Sequence, residues 1–208
     1  MTKKHDILWL DSIDSTNKYA KEHVSELDNL SVVSALTQTD GRGQRSNAWI
    51  SRPGENLTFS VLLKYETLSI PAKEQILIST ITAISVTELL STYGISARVK
   101  WPNDIYVGKN KICGILIEHS VRGNRLSHSI IGIGLNINER NFDVSIPNPT
   151  SIAMILDLKE KIDTKECLEK FMDIYKKNLC LLNESRDYKR LLEISLSWQQ
   201  SQQLDPQL

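Results

Sequence analysis

At 208 residues the chain is long enough to bury one sizeable core. Its 40% hydrophobic and 24% charged residues exclude a disordered or fibrous chain. Lys plus Arg and Asp plus Glu number 25 each, so the formal charge is zero and the broad basic field of a duplex nucleic-acid binder is excluded. In chain order, the first strand is expected at 6–10. Asp14 or Ser15 then caps a helix to about residue 27, because short oxygen-bearing side chains satisfy free amides at a helix start. Segments 31–39 and 56–65 read as strands, the second with alternating apolar residues, and between them lies a loop containing Gly41 and Gly43. Pro71 opens a helix running to about residue 92 and Gly94 ends it, despite the β-branched Ile76, Ile78 and Ile81.

From residue 97 to 138 the pattern turns strongly β, with strands at 98–101, 104–107, 111–121 and 126–137. Gly108–Lys109–Asn110 and Gly123–Asn124 punctuate them, so two antiparallel hairpins are expected. After a Pro and Asn loop at 147–149, residues 164–184 carry Leu168, Phe171, Tyr175, Leu179 and Leu182 at helical spacing. The result is an α+β architecture, a mixed, mainly antiparallel sheet flanked by helices. The N-terminal apolar run is too short for a signal peptide, and no stretch has about 18 consecutive apolar residues, so a cytoplasmic protein with no membrane association is expected. Cys113, Cys167 and Cys180 are widely spaced, without a CxxC or Cys/His grouping, and read as reduced thiols.

Two stretches carry chemistry. In Gly41–Arg42–Gly43–Gln44–Arg45–Ser46–Asn47–Ala48–Trp49, glycine exposes backbone amides and arginine pairs with phosphate; the plainer reading is a solvated turn. Trp49 suits either stacking on a nucleotide base or anchoring the loop to the sheet. In Lys100–Trp101–Pro102–Asn103–Asp104, followed by Lys111 and Gly114–Ile115–Leu116–Ile117–Glu118, cations and a carboxylate gather near strand ends. That is the composition of a phosphate and magnesium site, and equally of a hairpin with surface charges.

Joined to Asp14–Ser15–Thr16–Asn17, Gln38 and Gly132–Ile133–Gly134–Leu135–Asn136–Ile137–Asn138, these stretches resemble the biotin protein ligase family from about residue 10 to 154. The resemblance implies a class II synthetase-like fold shared with lipoate ligases, and ATP-dependent activation of biotin to biotinyl-5′-AMP followed by transfer to a lysine. It implies a biotin site of Ser15, Thr16, Asn17, Gln38, Gly41, Arg42, Lys111 and Gly114. The ATP or adenylate site would comprise Arg42, Gly43, Arg45, Trp49, Lys100, Asn103, Asp104 and Asn136. Lys111 and Arg42 would be catalytic, and Asp104 would offer magnesium a hard oxygen, directly or through water. The implied partner is a biotin carboxyl carrier domain such as that of acetyl-CoA carboxylase, and the implied assembly is a monomer or homodimer.

Three departures accompany the resemblance. Gln44, Ser46 and Asn47 stand where some members carry Arg, Gly and Arg, which bears on how tightly an adenylate is retained. The biotin-site motif falls within the first twenty residues, so no DNA-binding winged helix and no repressor activity are expected. Residues 1–184 read as the catalytic domain and 185–208 as a short helix or tail, with the usual SH3-like domain absent. Two rival readings are a biotin-binding protein impaired in catalysis and a lipoate or octanoate transfer enzyme.

Overall fold

The computed structural model describes residues 5–44, 47–66, 70–182, 190–191 and 193–194. Strands β1 (Ile7–Ile13), β2 (Val32–Gln38), β3 (Leu57–Lys64), β4 (Arg98–Lys100), β5 (Asp104–Val107), β6 (Asn110–Arg122) and β7 (Arg125–Leu135) form one sheet. Its order is β1-β2-β3-β7-β6-β5-β4. Only β1 and β2 run parallel, joined by the crossover helix α1 (Thr16–Glu22); every other pair is antiparallel. This is the expected mixed, mainly antiparallel sheet, and the two hairpins β5–β6 and β6–β7 fall where the glycine turns put them.

One face of the sheet carries the main core. Val61, Leu63, Ile131, Ile133 and Ile115 pack there against α2 (Ile76–Thr92) and α4 (Thr164–Leu179). Helix α4 is amphipathic: Leu168, Phe171 and Tyr175 are almost wholly buried, and Asp163 caps it by accepting from the amides of Lys165 and Glu166. Helix α2 has no polar stripe, because the sheet and α4 enclose it. Its buried Thr82 and Ser85 hydroxyls donate to the carbonyls of Ile78 and Ile81 at 2.7 and 2.8 Å, so no hydrogen-bonding group is stranded. The stretch Ala72–Thr92 is long and apolar enough by composition to span a bilayer, but it is largely buried, as a core helix is.

Element ends differ from expectation in physically readable ways. The helix after Pro71 begins as a 3-10 turn, Ala72–Glu74, before α2 proper, and ends at Gly94 with φ of +76°, the left-handed stop that glycine permits. Helix α1 ends at Glu22 rather than near residue 27. The chain continues in turns that pack Val24 and Leu27 against Ala20, Val33, Leu62 and Ile130, a second small core on the opposite face. A short helix, α3 (Ile152–Ile155), has no counterpart in the sequence reading; Ser151 caps it by accepting from the amide of Met154. Beyond α4, Leu191 on helical backbone is buried in the main core.

Candidate active site

The face of the sheet that carries α1 opens toward the β4–β5 end into a cleft of about 400 Å³, within the usual range of small-molecule sites. The register sets its floor. Ser60 of β3, Gly132 of β7 and Leu116 of β6 stand in one cross-strand row; Thr58, Gly134, Gly114 and Asp104 stand in the next. Two glycines make room for other elements. A β-carbon on Gly132 would lie 2.3 Å from Asn17 Oδ1, and one on Gly134 would lie 2.2 Å from Trp49 Cε2.

At one end of the cleft lies the start of α1. Ser15 is the N-cap, its hydroxyl accepting from the Lys18 amide, and Ser15, Thr16 and Asn17 are all buried while lining the cleft. The N–H and hydroxyl of Thr16 both donate to Gln38 Oε1, at 2.8 and 3.1 Å, so the amide nitrogen of Gln38 is left to face outward as a donor. Asp14, just outside, is held below the usual carboxylate range by the Lys18 ammonium and the Ser15 N–H.

The glycine loop forms the lid side. Its backbone is pinned by Gly43 N–H to Asn47 O at 2.7 Å and Trp49 N–H to Gly41 O at 2.8 Å. Arg42 pairs only weakly with exposed Asp40, at 3.4 Å, so its guanidinium is available to an anion. Arg45 lies outside the described residues. Trp49 lies over Gly134 and Gly114, inside the cleft, with its indole N–H buried and unpartnered. A buried donor of that kind suits an incoming acceptor.

The far end is built by the β4–β5 turn and by β6. Lys111 Nζ is 2.8 Å from Asp104 Oδ1 and 5.8 Å from the centroid of the Trp49 ring. The Lys111 backbone is clamped from both sides, its N–H donating to Asn148 O and its carbonyl accepting from Thr150 N–H. Asn103 lines the cleft beside Asp104, and the turn contains a cis Trp101–Pro102 peptide. Asp104 is the single carboxylate among the described residues lining the cleft, and those residues contain no cluster of three or more His, Cys, Asp or Glu side chains. That donor set fits magnesium, which binds through one or two carboxylates together with phosphates and water rather than in an all-protein cage.

Two expected nucleotide residues stand elsewhere. Asn136 is buried outside the cleft lining, its amide donating to Thr150 O at 3.0 Å. It ties down the loop that clamps Lys111, so its contribution to the cleft is indirect. Lys100 also lies off the lining, its ammonium 5.3 Å from the centroid of the Tyr106 ring. Gly41 is buried against the Trp49 carbonyl, where a β-carbon would clash at 2.3 Å, and so shapes the loop rather than the cleft wall. Conversely, sequence reasoning passed over Ser60, which shares with Thr58 the hydroxyls of the otherwise mainly apolar strand LTFSVLLK and is fully buried beneath Thr16 and Asn17.

Fold and cleft together define an α+β domain with a cleft of small-molecule size on the α1 face of its sheet. Residues 9–136 match the model of the Biotin/lipoate A/B protein ligase family. The chain belongs to that family. It is 35% identical over 143 residues to the bifunctional ligase/repressor BirA of Escherichia coli, covering 68% of this chain and 44% of that protein. To the bifunctional ligase/repressor BirA of Bacillus subtilis it is 30% identical over 202 residues, covering 93% of this chain and 58% of that protein. It thus spans about half the length of these two relatives. Among solved structures, the biotin protein ligase of Aquifex aeolicus in complex with biotin and ATP matches with a TM-score of 0.72 and 30% identity, covering 88% of this chain and 73% of that one.

Proposed function

We infer that the chain activates biotin with ATP and transfers it to a lysine of a biotin carboxyl carrier domain, with residues 1–184 as the catalytic unit, acting in the cytoplasm. The observation that carries this reading is that Ser15, Thr16, Gln38, Arg42, Trp49, Asp104 and Lys111 come from distant parts of the chain to line one cleft. The A. aeolicus ligase, named as binding biotin and ATP, has the same fold at 30% identity and supports the choice of substrates.

The order of groups along the cleft supports a division of work among them. Ser15, Thr16 and Gln38 offer hydrogen bonds to a polar ring, and a ligand lacking a partner would leave them unpaired. Lys111 then sits where the biotin carboxylate meets the α-phosphate. An oxygen of that carboxylate attacks phosphorus, the bond to pyrophosphate breaks, and the mixed anhydride biotinyl-5′-AMP remains. Lys111 and Arg42 favour the charge gathering on oxygen in that step. In the second step a neutral lysine amine of the carrier attacks the activated carbonyl, the C–O bond to AMP breaks, and the nitrogen loses its proton to solvent. Trp49 covers the nucleotide base, and the closed loop keeps water from the anhydride. Asp104 and Asn103 would hold magnesium, which neutralises phosphate charge when bound. Lys111 leaves Asp104 for the substrate carboxylate as that site fills.

The test is ATP–pyrophosphate exchange by the purified chain with biotin, lipoate or octanoate. Exchange dependent on biotin alone is expected; exchange supported by lipoate or octanoate, or biotin binding without exchange, overturns the assignment.

A further inference from the structure

The glycine loop is fixed at two roots, and the second is braced by a buried carboxylate to which the reaction above gives no part. At the first root, the Thr39 N–H donates to Ile13 O and the Asp40 N–H to Asp14 O, both at 2.9 Å. At the second, Glu139, beyond the end of β7 and 3% exposed, accepts at Oε2 from the Arg52 N–H at 3.2 Å and from Asn56 Nδ2. The Asn56 amide has a set orientation: its Oδ1 accepts from the Ile137 N–H at 2.9 Å, so its nitrogen is turned to Glu139. The Arg52 guanidinium adds little, since its Nε is 3.9 Å from the other Glu139 oxygen and its side chain is 61% exposed.

What Glu139 supplies is the outermost tie of this root to the sheet. The Gly54 N–H donates to Leu36 O and the Asn138 N–H to Glu55 O, both at 2.9 Å, so residues 54 and 55 stay attached without it. The Glu55 N–H also donates to Arg52 O at 3.2 Å, which closes the turn on itself and ties it to no strand. Ahead of Arg52, the backbones of Ile50 and Ser51 make no hydrogen bond among the described residues. Arg52 is therefore the last fixed point on this side of Trp49, whose indole N–H is unpartnered and whose ring is placed by its backbone and by packing on Gly134 and Gly114. Burying a carboxylate this deeply is costly, and its return lies in the donors it satisfies.

We propose that Glu139 is a positioning residue for the nucleotide side of the cleft: by holding the Arg52 N–H it gives the glycine-loop hairpin its second root, and so keeps Trp49 over Gly134 and Gly114. The proposal rests on the reading of the cleft given above and deepens it. A hairpin held at two roots is fixed, whereas one held at a single root pivots. Without Glu139 the hairpin stays attached through Asp40 and Gly41, and the indole swings from the place where it covers the nucleotide base and keeps water from the mixed anhydride. Ser15, Thr16 and Gln38 are held by their own bonds and by the first root, so the biotin end stays in place.

Glu139→Met keeps the bulk of the side chain and removes the acceptors, while Glu139→Gln keeps an oxygen able to accept from both donors. In ATP–pyrophosphate exchange with biotin, the KM for ATP is expected to rise about tenfold in Glu139→Met, as loss of one hydrogen bond to a charged acceptor does, and to return to within about threefold of wild type in Glu139→Gln. The kcat and the KM for biotin should stay within about twofold in both. Acrylamide quenching of Trp49, isolated by comparison with Trp49→Phe in each background, should increase in Glu139→Met and not in Glu139→Gln. A merely structural role would lower the unfolding midpoint without moving the KM for ATP. That result in folded Glu139→Met overturns the proposal, as do equal losses in the two variants. Should the methionine chain not fold, the wild type decides: its Arg52 amide is expected to exchange with solvent at least about tenfold more slowly than those of Ile50 and Ser51 by NMR, and an unprotected Arg52 amide overturns the proposal. Failure of the wild-type chain to exchange pyrophosphate with biotin instead overturns the reading of the cleft, while Trp49 quenching and Arg52 protection still decide the role of Glu139.

Discussion

Trp49 and Asn17 each lie where a glycine has no side chain, yet the two glycines should respond differently to substitution. Trp49 is carried by a loop held by a few backbone hydrogen bonds, whereas Asn17 is tied to Ser60, Leu116 and Glu118 within α1 and the sheet. Gly134→Ala is therefore expected to push the indole out of the cleft with under about 1 kcal/mol lost in stability, while raising the KM for ATP and changing tryptophan fluorescence. Gly132→Ala has no loop to yield and should cost about 1–3 kcal/mol, as overpacking does. Urea denaturation of the two variants checks the contrast, and equal losses would show that the loop is as rigid as the helix. Lys111 makes a third case. Its side chain is partly exposed and paired with an equally accessible Asp104, so little folding energy resides there. Lys111→Ala should abolish pyrophosphate exchange while leaving the unfolding midpoint close to wild type; near-normal exchange in the folded variant would remove the role given to Lys111.

At the scale of elements, the site and the main core occupy opposite faces of one sheet, and this separates their mutational effects. Phe171 of α4 is 1% exposed, edge-on to Phe59 at 5.2 Å and stacked on Tyr175 at 5.5 Å between ring centroids. Phe171→Ala should cost about 3–5 kcal/mol in urea denaturation, with the KM for biotin unchanged below the unfolding transition. A raised KM would mean that the sheet transmits strain from one face to the other. The same two-sidedness explains what the sequence revealed. Helix α4 meets water on one side, so the spacing of Leu168, Phe171, Tyr175 and Leu179, and of Leu182 in the 3-10 turn Cys180–Leu182 beyond it, picked out residues that are buried. Strand ends announced by Gly108 and Gly123 were legible because both adopt positive φ in tight turns. The helix start was legible as Asp14 or Ser15, because a cap is also a local feature, and the structure makes Ser15 the cap. What stayed hidden depends on partners far along the chain: Asn136 is claimed by Thr150, the Lys111 backbone by residues 148–150, and Ser60 by Asn17. No local pattern encodes those pairings, and so Asn136 read as a ligand contact and Ser60 did not read as part of the site.

Across the whole molecule, folding encloses several acidic hydroxyl and thiol groups in one apolar core, and this fixes how stability depends on alkaline pH. Burial pushes up the thiols of Cys113 and Cys167, the latter to about 11 from an ordinary value of 9.0, and also the phenols of Tyr65 and Tyr175 from 10.0. These are acids whose folded values exceed their unfolded values. Below about pH 9 both states hold the protons and no difference arises. Above it the unfolded chain releases protons that the folded chain retains, so the unfolded state binds fewer and stability falls with rising pH. Each group contributes a slope of up to about 1.4 kcal/mol per pH unit once its unfolded value is passed. The thiols act first, from 9.0, and the phenols from 10.0, so the decline should steepen in two stages. Urea midpoints measured at intervals from pH 7 to 10.5 should be level and then fall, and replacing Cys113 and Cys167 together by Ala should flatten the first stage while leaving the second. A decline that begins at the same pH with the same slope in the double variant would place its origin in other groups, since no thiol would then remain in the core to drive it.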